Sequence, residues 1–120
     1  MLTVERKQEL ARKVKFVKDI EAAILNDGKS NIRNIQSLRY EIYEHSQGDN
    51  SYVEERVVLT FKGDAVSVRN CNGTSCAGIL KAIADITQGG YYSEVPYYEQ
   101  LSSSSDYVRI DEKLEEECHG

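Results

Sequence analysis

The sequence predicts an α+β fold: an antiparallel sheet of three or four strands covered by two helices, in the order α-β-β-β-α, with the fourth strand near the C-terminus. Three observations predict this class. Val57, Leu59 and Phe61 alternate with Val58 and Thr60, and Val66 and Val68 alternate with Ser67 and Arg69, which is the two-residue period of a pleated strand. Gly63 between them accommodates the positive φ of a tight hairpin turn. Residues 3–26 and the residues before Gly89 instead repeat apolar side chains at helical spacing.

The first predicted helix covers residues 3–26, with Thr3 as its N-cap and Asp27-Gly28 as its stop signal. Its apolar stripe consists of Leu10, Val14, Val17, Ile20 and Ile24. Lys13 and Glu21 flank the stripe, where long side chains are expected to keep their charges in water. Such a helix would extend about 36 Å. It either crosses the sheet with frayed first turns or packs its overhang on a second copy, as a homodimer through residues 3–26.

The first strand is predicted from the alternation at residues 38–43. Leu38, Tyr40 and Ile42 would form its apolar face, and Arg39, Glu41 and Tyr43 its solvated outer face. A polar loop over residues 47–51 then leads into the central hairpin. Because neighbouring elements usually pair, these three strands are expected to form a meander.

The second helix is predicted between a cap at Thr74 or Ser75 and the stop signal Gly89-Gly90. Its apolar residues, Ile79, Leu80, Ile83 and Ile86, are expected on one face. That face would fold onto the hairpin.

The C-terminal part of the chain has a different composition. Four of the eight tyrosines, Tyr91, Tyr92, Tyr97 and Tyr98, fall in a segment predicted to be irregular. Residues 107–110 are expected to form a last short strand, with Arg109 facing outward. Residues 111–120 are predicted to be an acidic, flexible tail. At 120 residues, the chain 1–120 is expected to be a single domain.

The charge balance argues against direct binding of nucleic acid. The chain has 15 basic and 20 acidic residues and a formal net charge of −5, whereas phosphate binding requires clustered lysine and arginine. The order α-β-β-β-α is also that of double-stranded RNA-binding domains. Those domains hold phosphates with lysines at the start of their second helix, where this sequence has Ser75-Cys76-Ala77-Gly78, so no family is assigned.

The cysteine count and the hydropathy pattern predict a cytoplasmic protein. Three cysteines, an odd number, do not resemble the disulfide framework of a small secreted domain. No apolar run approaches the roughly 20 residues that cross a bilayer, and no secretory signal is evident.

Cys76 and His45 are the candidates for catalysis. Cys76 is predicted in the first turn of a helix, where the dipole favours a thiolate nucleophile. The segment Ser75–Leu80 resembles the cysteine-containing helix start of papain-like hydrolases, a class in which the histidine usually follows on a strand. Here only His119 lies downstream, and His45 precedes the helix. The alternative is that Cys76 is an inert small residue that seats the helix.

No metal site or cofactor is predicted. Cys71 and Cys76 with Cys118-His119 lack the usual ligand spacing of a structural zinc site. The sequence also contains no phosphate loop, dinucleotide-binding fingerprint or nucleophile elbow.

The tyrosine-rich segment is the binding candidate. The proposed binding residues are Tyr91, Tyr92, Glu94, Tyr97, Tyr98, Glu99 and Arg109. Tyrosine gives a large contact area at low rotamer cost, and Glu94 and Glu99 would complement a basic partner. The alternative is that these rings pack on the sheet edge or on the second helix.

These features predict a non-enzymatic, acidic interaction protein with a protein partner. By analogy of size and charge, it is comparable to phage-encoded or mobile-element inhibitors of nucleic-acid-handling proteins. An alternative function is a small-ligand or nucleotide-binding module, in which rings stack on the ligand and Arg109 or Arg69 anchors it. A hydrolase based on Cys76 is the third hypothesis.

Overall fold

A computed structural model describes residues 2–26, 35–47, 50–88, 95–103 and 106–117. The elements are α1 (Val4–Asn26), β1 (Ile35–Gln47), β2 (Asn50–Phe61), β3 (Val66–Asn70), α2 (Cys76–Gln88), α3 (Val95–Ser103), β4 (Val108–Arg109) and α4 (Asp111–Glu117). In the described part of the chain, the strands form a four-stranded antiparallel sheet in the order β3-β2-β1-β4. The predicted α+β class, the meander and the C-terminal strand are therefore confirmed.

Helix α1 begins where the sequence predicts. The side-chain oxygen of Thr3 accepts a hydrogen bond from the backbone N–H of Arg6 at 3.1 Å, which caps the helix. Leu10, Val14 and Val17 are buried, and the helix packs along β1. Most of the apolar stripe of α1 is therefore buried within this chain.

Helix α2 covers the same face of the sheet as α1. Ile79, Ile83 and Ile86 are buried and join the core that contains Leu10 of α1. Leu80 is an exception to the predicted face, because its side chain is 51% exposed.

Helix α3 occupies a segment that was predicted to be irregular. Pro96 is its second residue, and proline is tolerated in a first helical turn because the N–H there has no intrahelical partner. The helix packs on β3, and Tyr98 reaches Glu41 on the side of β1 opposite Tyr40 and α1. Glu41 and Tyr43 are consequently buried, so the outer face of β1 is not solvated as predicted.

Helix α4 occupies Asp111–Glu117, within the segment 111–120 where the sequence predicts a flexible tail. Residues Asp111–Glu117 are helical, and the side chain of Leu114 is buried in the core against α1 and β1. Lys18 of α1 and Glu115 of α4 form an ion pair at 2.8 Å. Residues 118–120 lie outside the described residues.

Within the described ranges, no helix combines the length and apolar character that a membrane span requires.

Candidate functional site

The predicted tyrosine-rich segment is only partly described. Tyr91, Tyr92 and Glu94 lie outside the described residues, and so does the side chain of Tyr97. Tyr98 on α3 is half-buried, and its hydroxyl donates a hydrogen bond to Oε2 of Glu41 at 3.1 Å. Glu99, the next residue, is exposed.

Glu41 is the centre of a polar cluster between the sheet and α3. It is fully buried and accepts hydrogen bonds from the hydroxyls of Tyr43 at 2.5 Å and Tyr98 at 3.1 Å. The guanidinium of Arg39 approaches the same carboxylate at 2.9 Å. Burial, followed by the charge of Glu41, raises the pKa of the Tyr98 phenol. The cluster therefore holds Tyr98 as a protonated donor that attaches α3 to β1.

Arg109 is already engaged by a carboxylate. It lies opposite Tyr43 in the ladder, and its Nε and Nη2 atoms donate to the two oxygens of Asp111 at 2.9 and 3.0 Å. The hydrogen bonds to Asp111 raise the pKa of Arg109 despite partial burial. Asp111 also accepts the backbone N–H of Ile42 at 3.2 Å, so this pair fixes the edge of β1.

A second group of aromatic residues lies where β1 ends and β2 begins. The ring centroid of His45 on β1 is 6.4 Å from that of Tyr52 on β2 and 5.0 Å from that of Tyr107. We call His45, Tyr52 and Tyr107 the ring cluster. Tyr52 is 55% exposed, and the neighbouring Val108 is 61% exposed.

The ring cluster was not predicted from the sequence. The two tyrosines are separated by 55 positions, and His45 drew attention only as a base for Cys76. The one available signal is the register of the β1–β2 hairpin, because it places Tyr52 directly opposite His45. Tyr107 joins them only through the pairing of β4 with β1.

Cys76 and His45 are not brought into a catalytic arrangement. Cys76 is the first residue of α2 and is half-exposed, whereas His45 contacts the two rings of its own cluster. No hydrogen bond among the described residues joins them. His119 lies outside the described residues, so its role as a base stays a prediction.

The other described thiol, that of Cys71, is buried in the core. Burial raises the pKa of its thiol, and both Cys71 and Cys76 are free. In the described ranges, no group of three or more His, Cys, Asp or Glu side chains is arranged to hold a metal ion. Cys118 lies outside these ranges.

Glu55 is a fully buried carboxylate on the core side of β2. Its Oε1 atom accepts hydrogen bonds from Nζ of Lys13 at 2.8 Å and from the hydroxyl of Tyr40 at 2.9 Å. Its Oε2 atom accepts from Nη2 of Arg6 and from the backbone N–H of Gly73, both at 3.1 Å. The carboxylate thereby connects α1, β1 and the loop before α2. We call it the Glu55 hub.

The prediction that Lys13 keeps its charge in water is therefore wrong. Burial disfavours the ionised form of Glu55, but the hydrogen bonds and charge of Lys13 and its other donors outweigh this effect and lower the pKa of Glu55. Sequence reasoning overlooked the hub, although Glu55 is in phase with the buried Val57 and Leu59. A charged residue in phase with a core face was the available signal.

A cavity of about 320 Å³ lies between α1, α4 and the uncovered edge of β1. Its lining includes Arg39, Tyr40, Arg109 and Asp111. Comparisons with known proteins assign no function to this cavity or to the ring cluster: no protein-family model, curated protein or solved structure matches this chain.

Proposed function

We propose that this protein is a non-enzymatic binding module that docks on a protein partner with a basic surface. The ring cluster is the observation that supports the proposal. Tyr52 is more than half exposed beside His45 and Tyr107, and exposed Val108 lies on the adjacent strand. Tyrosines with an apolar body and a polar tip are enriched at protein interfaces.

Charge supports a basic partner. The chain has a net charge of −5, and Asp106 and Glu99 are exposed acidic residues on the segment that leads into β4. Opposite charge on a partner accelerates encounter and makes binding sensitive to salt. We therefore propose that the partner handles nucleic acid and presents a basic groove, which this protein would occupy as an inhibitor in the cytoplasm, as phage-encoded inhibitors of similar size and charge do.

The proposed surface retains the binding residues that the sequence suggests, except Tyr98. Tyr91, Tyr92, Glu94 and Tyr97 are included for their composition, and Arg109 for its position on β4, two residues after Tyr107. Tyr98 has a different role in the proposal. Because its hydroxyl is bound to Glu41, it positions α3 instead of contacting the partner.

A pull-down with a matched variant tests the proposal. Wild type and the Tyr52→Ser/Tyr107→Ser double variant are immobilised and exposed to extract from the source cell at low and high salt. We expect wild type to retain specific proteins at low salt and the double variant to lose them. Leu80→Ser removes a comparably exposed apolar side chain from α2 and should change nothing. Equal retention by all three proteins, or no retained protein at low salt, would contradict the proposal.

The partner class is tested with the retained protein itself. If its basic groove is the contact, added nucleic acid and this protein should compete for it. Binding that is unaffected by saturating DNA and RNA would remove the nucleic-acid-handling part of the proposal, while leaving the surface intact.

A second candidate function uses the cavity beside β1. Its volume of about 320 Å³ falls in the range of small-ligand sites, and Arg39 and Arg109 line it with Tyr40. An anionic ligand such as a nucleotide would have to compete with Asp111 for Arg109. A thermal-shift screen against nucleotides is the test, because a ligand that binds only the native state raises its stability. No shift for wild type would exclude this function for the ligands tried.

Homodimerisation through residues 3–26 is also a proposal. Exposed Val4 and Leu25 lie at opposite ends of α1 and would be its apolar contacts. Light scattering over a range of protein concentrations tests it, and a monomeric mass at all concentrations would contradict it.

A further inference from the structure

The loop between β3 and α2 contains Asn72-Gly73, and Glu55 contacts both residues at the groups that would react with each other. The backbone N–H of Glu55 donates a hydrogen bond to Oδ1 of Asn72 at 2.5 Å. The Oε2 atom of the Glu55 carboxylate accepts the backbone N–H of Gly73 at 3.1 Å. One buried residue thus contacts the side-chain amide of Asn72 and the amide nitrogen that follows it.

These contacts supply two needs of an intramolecular ring closure. In this reaction the nitrogen of Gly73 attacks the side-chain carbonyl carbon of Asn72. A hydrogen bond to the carbonyl oxygen stabilises the negative charge that develops there, and a carboxylate on the attacking N–H can take its proton. Glycine presents no Cβ to obstruct the attack, and Gly73 has a φ of 69°.

We propose that Asn72 is a site of self-modification, at which Glu55 promotes loss of the side-chain amide through a cyclic imide with Gly73. A bond forms between the Gly73 nitrogen and Cγ of Asn72, and the proton passes to Glu55. The bond from Cγ to Nδ2 breaks, and the nitrogen leaves as ammonia with that proton. Water then opens the imide at either carbonyl and leaves an aspartyl or isoaspartyl linkage at position 72.

The surroundings allow both steps. Asn72 and Gly73 are exposed, so water reaches the imide and ammonia can leave. Lys13 and Arg6 keep cationic groups on the Glu55 carboxylate, so the carboxylate is ionised at neutral pH and carries no proton of its own. The backbone N–H of Asn72 is itself bound to Oδ1 of Asn70 at 2.9 Å, which fixes the loop.

Modification would also weaken the Glu55 hub. A carboxylate at position 72 adds a negative charge to the residue that accepts the backbone N–H of Glu55, and an isoaspartyl linkage lengthens the backbone between β3 and α2. A longer backbone in this loop would displace Gly73, whose backbone N–H donates to the Glu55 carboxylate. The modified chain should therefore unfold at lower urea than the original chain.

A time course on the full-length chain tests the proposal. Wild-type protein is incubated at neutral pH in native buffer and in the same buffer with unfolding urea, and mass spectrometry of the digested chain follows position 72. A positioned base typically contributes a factor of about 100, so we expect conversion at least about 100-fold faster in the folded chain. Conversion that is as fast or faster in urea would overturn the proposal, because the contacts of Glu55 would then protect Asn72.

Two variants separate the role of the carboxylate. Glu55→Gln keeps the backbone N–H on Asn72 and removes the base, so native conversion should fall by about 100-fold. Glu44→Gln removes a carboxylate from the neighbouring strand and should convert at the wild-type rate. Equal rates in folded Glu55→Gln and wild type would overturn the assignment of the base. If Glu55→Gln does not fold, the comparison of folded and unfolded wild type decides.

Discussion

The Nζ atom of Lys13 lies 2.8 Å from Oε1 of Glu55, and this buried ion pair joins α1 to the middle of the sheet. Replacing Lys13 by Met should leave the Glu55 carboxylate buried without its closest cation. Removing one partner of a buried pair costs about 3 kcal/mol or more. We expect the free energy of unfolding to fall by about that amount, measured by urea denaturation.

Lys15→Met is the matched control for this change. Lys15 is on the same helix and pairs with Asp19 at 3.2 Å, but both side chains are exposed. Exposed pairs contribute about 0.5 kcal/mol, so the control should be nearly as stable as wild type. Equal losses in the two variants would mean that the Glu55 hub does not stabilise the fold.

The Glu55 hub also predicts a pH dependence of stability. Although burial opposes ionisation, the hydrogen bonds from Lys13, Gly73 and Tyr40 lower the pKa of Glu55 in the folded chain. A lowered folded pKa gives stability that is present above the unfolded pKa and lost as the pH falls through the folded value.

We therefore expect the stability difference between wild type and Glu55→Gln to narrow as the pH falls from about 5 to about 3. Other carboxylates titrate in the same range, but they are common to both proteins and cancel in the difference. Urea unfolding of both proteins at a series of pH values measures this stability difference. A difference that stays constant or widens toward acid would contradict the predicted ionised state of Glu55.

The fold could be predicted because its main elements are encoded locally. Alternation marks the strands of the hairpin, and Thr3 marks the start of α1. Burial of Glu41 could not be predicted this way. It depends on α3, whose Tyr98 is 57 residues further along the chain and packs over Glu41. Helix α4 could not be predicted for the same reason: Leu114 is an isolated apolar residue in an acidic run, and its burial depends on packing against α1 and β1.

Tyr98→Phe should distinguish a structural role from a binding role for the tyrosine-rich segment. The change removes the hydroxyl that donates to Glu41 and keeps the ring. Since Glu41 retains Tyr43 and Arg39 as partners, the expected loss is about 1 kcal/mol of unfolding free energy. Hydrogen exchange should rise in α3 before it rises in β1.

Tyr52→Phe is the control for Tyr98→Phe, because Tyr52 is an exposed residue of the ring cluster. It should leave stability within about 0.5 kcal/mol of wild type. If Tyr98→Phe is equally silent and instead weakens partner binding, Tyr98 belongs to the binding surface and not to the attachment of α3.

The sequence could predict the residue types of the candidate site but not which of them lie together. Composition favours a surface of tyrosines and acidic groups, and exposed Tyr52 and Glu99 fit that description. The grouping of His45 with Tyr107 depends on which strand β4 joins, and a two-residue strand has too weak a pattern to specify its partner. Cys76 is the opposite case. Its local motif suggests a catalytic nucleophile, but no base accompanies it among the described residues.

The two described thiols should differ sharply in reactivity. In a Cys118→Ser background, Cys76 is half-exposed and should react with a thiol reagent on mixing. Cys71 is buried in the core, and burial raises the pKa of its thiol, so it should react only when the chain opens. Its rate should therefore rise with added urea. Adding Cys76→Ser to this background should abolish the fast phase and leave the slow reaction of Cys71 unchanged. A fast phase of two thiols in the Cys118→Ser protein would contradict the buried position of Cys71 between β3 and α2.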